Sequence, residues 1–382
     1  MTSRLRLTPM RPRDPEEPGR AASSLELFFD LVFVVAVSVA SAQLHHAMAE
    51  GHVVEGIANY GIVFFSIWWA WMNFTWFATS FDTDDWLYRV LTFLQMAGVL
   101  VLAAGIPAVF EDHSYTLLYL GYVIMRLALV AQWLRASRGT GASRRAALTY
   151  AGGITLVQVL WVVSLLLPGA AFTASLVLLI AAELAVPVVA ERMGSTPWHP
   201  HHITERYGLF TLILLGESLL ASANAVFEAL ETGEEIGAPV GLAVLAFLST
   251  AALWWIYFWP PHHRAIGSLA DSLVYGYGHY FIFAAAGAFS VGIEVEIDIL
   301  TSHSALHQPW ASFAFTIPVA AFVLGIWLLA LRPNADRVVN VVVPVAALLV
   351  LVDPLIPVPF ALTALILAAT VAVLVWRRPV RT

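Results

Sequence analysis

Ser24-Leu25-Glu26-Leu27-Phe28-Phe29-Asp30-Leu31-Val32-Phe33-Val34 opens an apolar run that continues to Ala47 and carries two carboxylates four residues apart. A helical membrane span takes about 20 apolar residues and a barrel strand about 10 in alternation, so an unbroken run of this length reads as a transmembrane helix. Glu26 and Asp30 fall on one face of it. A carboxylate at mid-bilayer costs about 2.5 to 3.5 kcal/mol, so that face must meet protein or water. The rest of the chain has the same character. Of its 382 residues 60% are hydrophobic and 12% charged, too little polar surface for a water-soluble globule.

Breaks in hydropathy predict further spans near 57–80, 87–109, 115–134, 147–167, 172–190, 207–227, 240–259, 272–293 and 310–331. The last stretch, 337–377, divides at Asp353-Pro354, with Pro357 and Pro359 following as turn signals. The prediction is an all-α, polytopic transmembrane bundle of about twelve helices in a bacterial inner membrane. Arginine placement gives its orientation, because positive residues gather in short cytoplasmic loops. With the N-terminus inside, even-numbered connections hold Arg89, Arg135, Arg138, Arg144, Arg145, Arg192, Arg206, Arg264, Arg332 and Arg337, and Arg377, Arg378 and Arg381 follow the last span. Odd-numbered connections hold acids: Glu50, Glu55, Glu111, Asp112, Glu228 through Glu235, Glu294, Glu296 and Asp298. Both termini are therefore expected in the cytoplasm.

Residues 1–22, rich in proline and arginine and without the apolar core of a signal peptide, read as a flexible cytoplasmic arm. Sliding the chain on itself sets Phe29-Asp30-Leu31 over Gly216-Glu217-Ser218, Trp68-Trp69 near Trp254-Trp255 and Pro168 near Pro354. This suggests two six-helix halves, 23–192 and 193–382, entering the membrane in the same direction as in parallel-repeat transporters. Composition alone also makes apolar helices resemble one another.

Several polar residues sit where lipid would reject them. Glu217, in Leu214-Leu215-Gly216-Glu217-Ser218, is about ten residues into its span, near mid-depth at about 1.5 Å per residue. Arg126 and Glu183 reach a similar depth, and a buried arginine and a buried carboxylate nearly demand one another. Arg126 is expected to pair with Glu217 or with Glu183, as a static clamp or as a proton-exchanging site. Asp30 lies deeper than Glu26, which suits a first-turn acid favoured by the helix dipole. His279, among glycines in Tyr275-Gly276-Tyr277-Gly278-His279-Tyr280, reads as buried, neutral and hydrogen-bonded or as part of the site. In Ile67-Trp68-Trp69-Ala70-Trp71-Met72-Asn73-Phe74-Thr75-Trp76-Phe77, an interfacial belt accounts for most of the tryptophans, and Asn73 is placed to line a cavity.

The inner face collects a second group. Asp84 and Asp85 with Arg89 resemble an N-cap and first-turn cluster. His201 shares a helical face with Glu205, and His202 with Arg206; with His199, His262 and His263 they put five histidines on the inner side. No spacing matches a zinc signature, so neither metal nor other cofactor is expected. A net charge of −7 argues against nucleic acid as partner. The expected partners are the lipid bilayer and a small solute or ion.

Leu25-Glu26-Leu27-Phe28-Phe29-Asp30-Leu31-Val32-Phe33, the tryptophan segment leading to Phe81-Asp82-Thr83-Asp84-Asp85, and His201-His202-Ile203-Thr204-Glu205-Arg206-Tyr207-Gly208-Leu209-Phe210 with Gly216-Glu217-Ser218 together resemble the bacterial low temperature requirement protein A family. The family's name records a cold-growth phenotype and defines no substrate. The resemblance implies functional or architectural roles for Glu26, Asp30, Asp84, Asp85, Glu205, Arg206 and Glu217. Intramembrane carboxylates, an arginine and a parallel repeat point to a secondary transporter, with Glu217 or Asp30 changing protonation. A lipid-handling membrane enzyme and a channel or sensor are the alternatives; no Walker motif points to ATP-driven pumping.

Overall fold

The computed structural model describes residues 7–232, 237–300, 304–356 and 360–379. Among them twelve α-helices follow one another: α1 Ser24–Ala49, α2 Val53–Phe81, α3 Trp86–Glu111, α4 Thr116–Ala136, α5 Gly141–Ser164, α6 Gly169–Met193, α7 Pro200–Thr232, α8 Gly237–Phe258, α9 Leu269–Leu300, α10 Trp310–Ile326, α11 Arg337–Val352 and α12 Ala361–Trp376. Eleven are long and apolar enough to cross a membrane, α10 and α11 with their short extensions, and α12 is a shorter apolar helix. No strand occurs among the described residues.

Local chemistry sets the boundaries. The Asp85 carboxylate accepts from the Tyr88 N–H and starts α3, and Asp336 does the same for α11 through Val339. Pro200 opens α7 at a position where its missing N–H leaves no orphan donor. That helix therefore begins well before the span expected at 207–227 and takes in His201, His202, Glu205 and Arg206, which the sequence places in a loop. At its far end α9 runs on to Leu300, so Glu294, Glu296 and Asp298 are helical as well. The side chains of the acidic run from Glu228 to Glu235, together with Pro357, Pro359 and Arg381, lie outside the described residues.

The distribution of polarity is that of a protein dissolved in lipid. Leu127, Leu156, Val177, Leu178 and Phe281 are each more than 60% exposed, while Asp30, Arg126, Glu183, Arg206 and His279 are 2% exposed or less. Apolar atoms facing outward and charges facing inward invert the arrangement of a water-soluble core.

The chain divides into two compact units, Met1–Ala36 with Ser66–Arg206, and Val37–Phe65 with Tyr207–Thr382. In the first, α3 and α4 pack backbone to backbone: a Cβ on Gly98 would stand 2.8 Å from the Gly121 carbonyl oxygen, and one on Gly121 would meet the Leu102 backbone. Buried Gln95 donates to Gln132, which donates to Thr92, across the same seam. In the second, Gly292 of α9 lies against Ala314 and Phe315 of α10 in the same way.

Residues 8–20, expected as part of a flexible arm, are bonded to the start of the bundle. Arg13 reaches Asp82, its N–H donates to the Ser80 carbonyl, Thr8 donates to Asp85, and Arg20 donates to the Ala78 carbonyl. These arginines account for acids in a connection that charge bias makes basic.

Gly121→Val should therefore lower the detergent-solubilised melting temperature, by a destabilisation of about 1 to 3 kcal/mol or more. Gly152→Val, where a Cβ meets nothing within 4 Å, should leave it nearly unchanged.

Candidate functional site

The first unit holds two buried clusters of arginine and carboxylate. In one, the α7 arginine Arg206 faces both acids of the opening sequence: its Nε donates to Asp30 Oδ2 at 3.0 Å and its Nη1 to Glu26 Oε1 at 2.9 Å. Trp71 Nε1 donates to Asp30 Oδ1 at 2.7 Å, the Ser23 N–H donates to Glu26, and His202 Nε2 stands 3.1 Å from Glu26 Oε1. In the other, Arg126 Nη2 donates to Glu183 Oε2 at 2.9 Å while the guanidinium lies 4.7 Å over the Tyr122 ring. Trp69 and Trp161 donate to the two Glu183 oxygens, at 2.8 and 3.2 Å. Arg126 thus pairs with Glu183; the alternative partner, Glu217, is elsewhere.

The tryptophans are where sequence reasoning was furthest off. Trp68, Trp69 and Trp71 are 1% exposed or less and form no interfacial belt. Two of them point indole N–H groups at intramembrane carboxylates, because a carboxylate has more lone pairs than one guanidinium fills. Asn73 donates to the Trp69 carbonyl one turn back, a bond within its own helix.

In the second unit both Glu217 oxygens lie within hydrogen-bond distance of a single donor, Ser38 Oγ of α1, at 2.7 and 2.8 Å. Glu217 is 9% exposed, and among the described residues no arginine or histidine stands within ion-pair distance. Toward the far ends of α1 and α9, His45 Nε2 lies 2.7 Å from Asp298 Oδ2 and Nδ1 3.6 Å from Glu294 Oε2. The sequence offered a signal for this, acids one turn apart at 294 and 298, which was read as loop charge. Glu296 is buried and takes hydrogen bonds from Gln308 and Ser312.

His279 is fully buried between the Tyr257 hydroxyl at 3.2 Å and the Tyr275 carbonyl at 2.7 Å. His262, in the connection before α9, stands 3.0 Å from the Tyr275 hydroxyl and 2.6 Å from the Tyr257 carbonyl. Burial pushes the His262 imidazole down to about 4, against the opposing hydrogen bond to Tyr257.

At the start of α3, Asp84 binds Arg89 through two hydrogen bonds, both side chains exposed. Asp85 binds Arg135 instead. Burial alone would raise the Asp85 carboxyl, but Arg135 and the Tyr88 and Thr8 N–H groups outweigh it and hold it below the ordinary value. His201 is exposed, and Glu205 accepts from the Ala22 N–H. No group of three or more His, Asp or Glu among the described residues is placed to hold a metal ion.

Twelve apolar helices that turn aliphatic side chains outward and bury arginine-carboxylate clusters define an integral, multi-pass membrane protein. The profile of the family described as bacterial low temperature requirement A protein (LtrA) matches residues 21–376, and the chain belongs to that family. An uncharacterized protein of Rhizobium meliloti (strain 1021) is similar to it, 28% identical over 289 residues, which cover 70% of this chain and 68% of that protein.

Removing one partner of a buried pair strands the other charge. Arg126→Leu should destabilise the solubilised protein by about 3 to 5 kcal/mol, and Arg126→Leu with Glu183→Leu should recover most of that loss. Chemical denaturation of both variants would measure the difference. For His262 the unfolded ring takes up a proton near 6.5 and the folded ring only near 4. The unfolded chain then binds more protons across that window, so stability should fall as pH drops from 6.5 to 4. His262→Phe should flatten the melting temperature against pH in that range.

Proposed function

We propose that the protein is a proton-coupled secondary transporter of a small solute or ion in the bacterial inner membrane, with Glu217 as the group that loads and releases the proton. The observation that supports this is a contrast among the intramembrane acids. Asp30 and Glu183 are each bonded to arginine, and neutralising either would leave a buried guanidinium short of its counter-charge. Among the described residues Glu217 has a serine hydroxyl as its hydrogen-bond partner, which can donate to the carboxylate and accept from the carboxylic acid. It can therefore change protonation without breaking an ion pair. Intramembrane Asp, Glu and His chains form the proton relays of pumps and transporters.

Asp30, the other protonation candidate, belongs on this reading with Glu26, Arg206 and His202 in a clamp that fixes α1 against α7. The arginine bias of the even-numbered connections supports cytoplasmic termini. The weak correspondence between 23–192 and 193–382 supports a parallel repeat, the arrangement that alternating access exploits.

The test is proteoliposomes carrying a pH-sensitive dye under an imposed proton gradient. Wild-type protein should move protons, Glu217→Gln should abolish the movement, and Glu217→Asp should retain part of it. Both variants should keep the wild-type melting temperature, since amide and shorter acid still pair with Ser38. Absence of wild-type flux, or flux undiminished in Glu217→Gln, would refute this function. Turnover of a lipid headgroup without flux would point to an enzyme.

A further inference from the structure

A carboxyl sunk in the bundle needs a route to water. Glu217 lies 15 residues from the last residue of α7, about 22 Å at 1.5 Å per residue, too far for one side chain to span. Ser38 and His45 are seven residues apart on α1, two turns, and so share a face. Ser38 holds Glu217; His45 stands about 10 Å further along, toward the end of the helix. On α9, Glu294 and Asp298 are one turn apart and flank the same imidazole from opposite sides.

We propose that His45 is a proton shuttle connecting water at the α1 and α9 termini with Glu217, receiving from Asp298 and delivering to Glu294. The inference rests on the reading of Glu217 above. Nε2 is within hydrogen-bond distance of Asp298 at 2.7 Å, and Nδ1 faces Glu294 at 3.6 Å, so delivery to Glu294 requires that carboxylate to close a short gap. A proton arriving on Nε2 makes the imidazolium. Loss of the Nδ1 proton to Glu294 returns the ring to its neutral form as the other tautomer, and a ring flip or a tautomer exchange resets it. No bond other than N–H and O–H changes. Glu294 Oε2 is buried without a hydrogen-bond partner, so the receiving lone pair is open. All three side chains are 19% to 31% exposed.

Among the described residues, few charged groups face the ring. Asp298 and Glu294 act on His45 from α9, and His46 follows it on α1 with ring centroids 5.6 Å apart.

Chemical rescue in the same liposomes tests the shuttle. His45→Ala should slow Glu217-dependent proton movement by on the order of 100-fold, and added imidazole should restore a large part of the rate. His45→Gln, which keeps a hydrogen bond to Asp298 but cannot carry a proton, should be as slow and should keep the wild-type melting temperature. Asp298→Asn should slow the flux and shift its pH profile. If both His45 variants move protons at the wild-type rate while Glu217→Gln does not, the shuttle is wrong and the role of Glu217 stands. Loss of flux that imidazole does not restore would make His45 a structural residue and overturn the proposal. Wild-type protein that moves no protons removes the function and the shuttle together.

Discussion

The expense of a charge away from water organises this bundle. A guanidinium or carboxylate transferred alone into a low-dielectric interior costs several kcal/mol even after relaxation, and a paired, hydrogen-bonded one far less. Arg126 and Arg206 in the first unit accordingly each have a carboxylate within 3.0 Å; Glu183 and Asp30 take an indole N–H as a further donor, and Glu26 takes the Ser23 N–H. The helices bring these groups together from distant parts of the sequence: Arg206 and Asp30 are 176 residues apart. Because neither partner is tolerable alone, the pairs specify which helix faces which more sharply than interchangeable Leu and Val can. The glycine seams then allow the faces to approach closely.

Against that background the second unit is differently built. Its buried acids meet neutral donors: Glu217 a serine, Glu296 an amide and a serine, and Asp353 Thr363 at one of its two oxygens. A hydroxyl or amide supports a carboxylate by about half as much as a charged donor does, and it accepts the protonated acid as readily. Arginine can do only the first. The division between acids paired with arginine and acids paired with neutral donors thus sets which of them would lose an ion pair on protonation.

Much of the fold was legible in the sequence because lipid imposes a simple rule, about 20 apolar residues per span, that needs no tertiary information. All twelve helices were placed near their observed positions. Boundaries failed where polar residues continue a helix beyond the apolar run, as at Pro200 to Arg206 and at Glu294 to Leu300, since hydropathy sees composition and not hydrogen bonding. Individual site residues were legible for a related reason: Asp30, Arg126, Glu183 and Glu217 each violate the apolar rule. Their partnering was only half legible. Arg126 had two carboxylates at a similar estimated depth, and depth along a span does not say which face of the helix a residue occupies. The tryptophans were misjudged because one-dimensional reading weighs their average preference for the interface, while the structure uses their N–H groups as donors to specific acids.

His45 shows what that kind of reading leaves out. Nothing in its own neighbourhood, Gln43-Leu44-His45-His46-Ala47, departs from the polar end of an ordinary span. Its character comes from α9, whose helical turn sets two acids at the spacing of an imidazole's two nitrogens. Either acid alone would only orient the ring, as a hydrogen-bonded histidine is oriented in many cores. Acids facing both nitrogens, Asp298 at 2.7 Å and Glu294 at 3.6 Å, give a proton one side at which to enter the ring and another at which to leave it. A residue with that property at a helix end, on the same face as the serine that holds Glu217, converts an isolated buried carboxyl into one in communication with the aqueous phase.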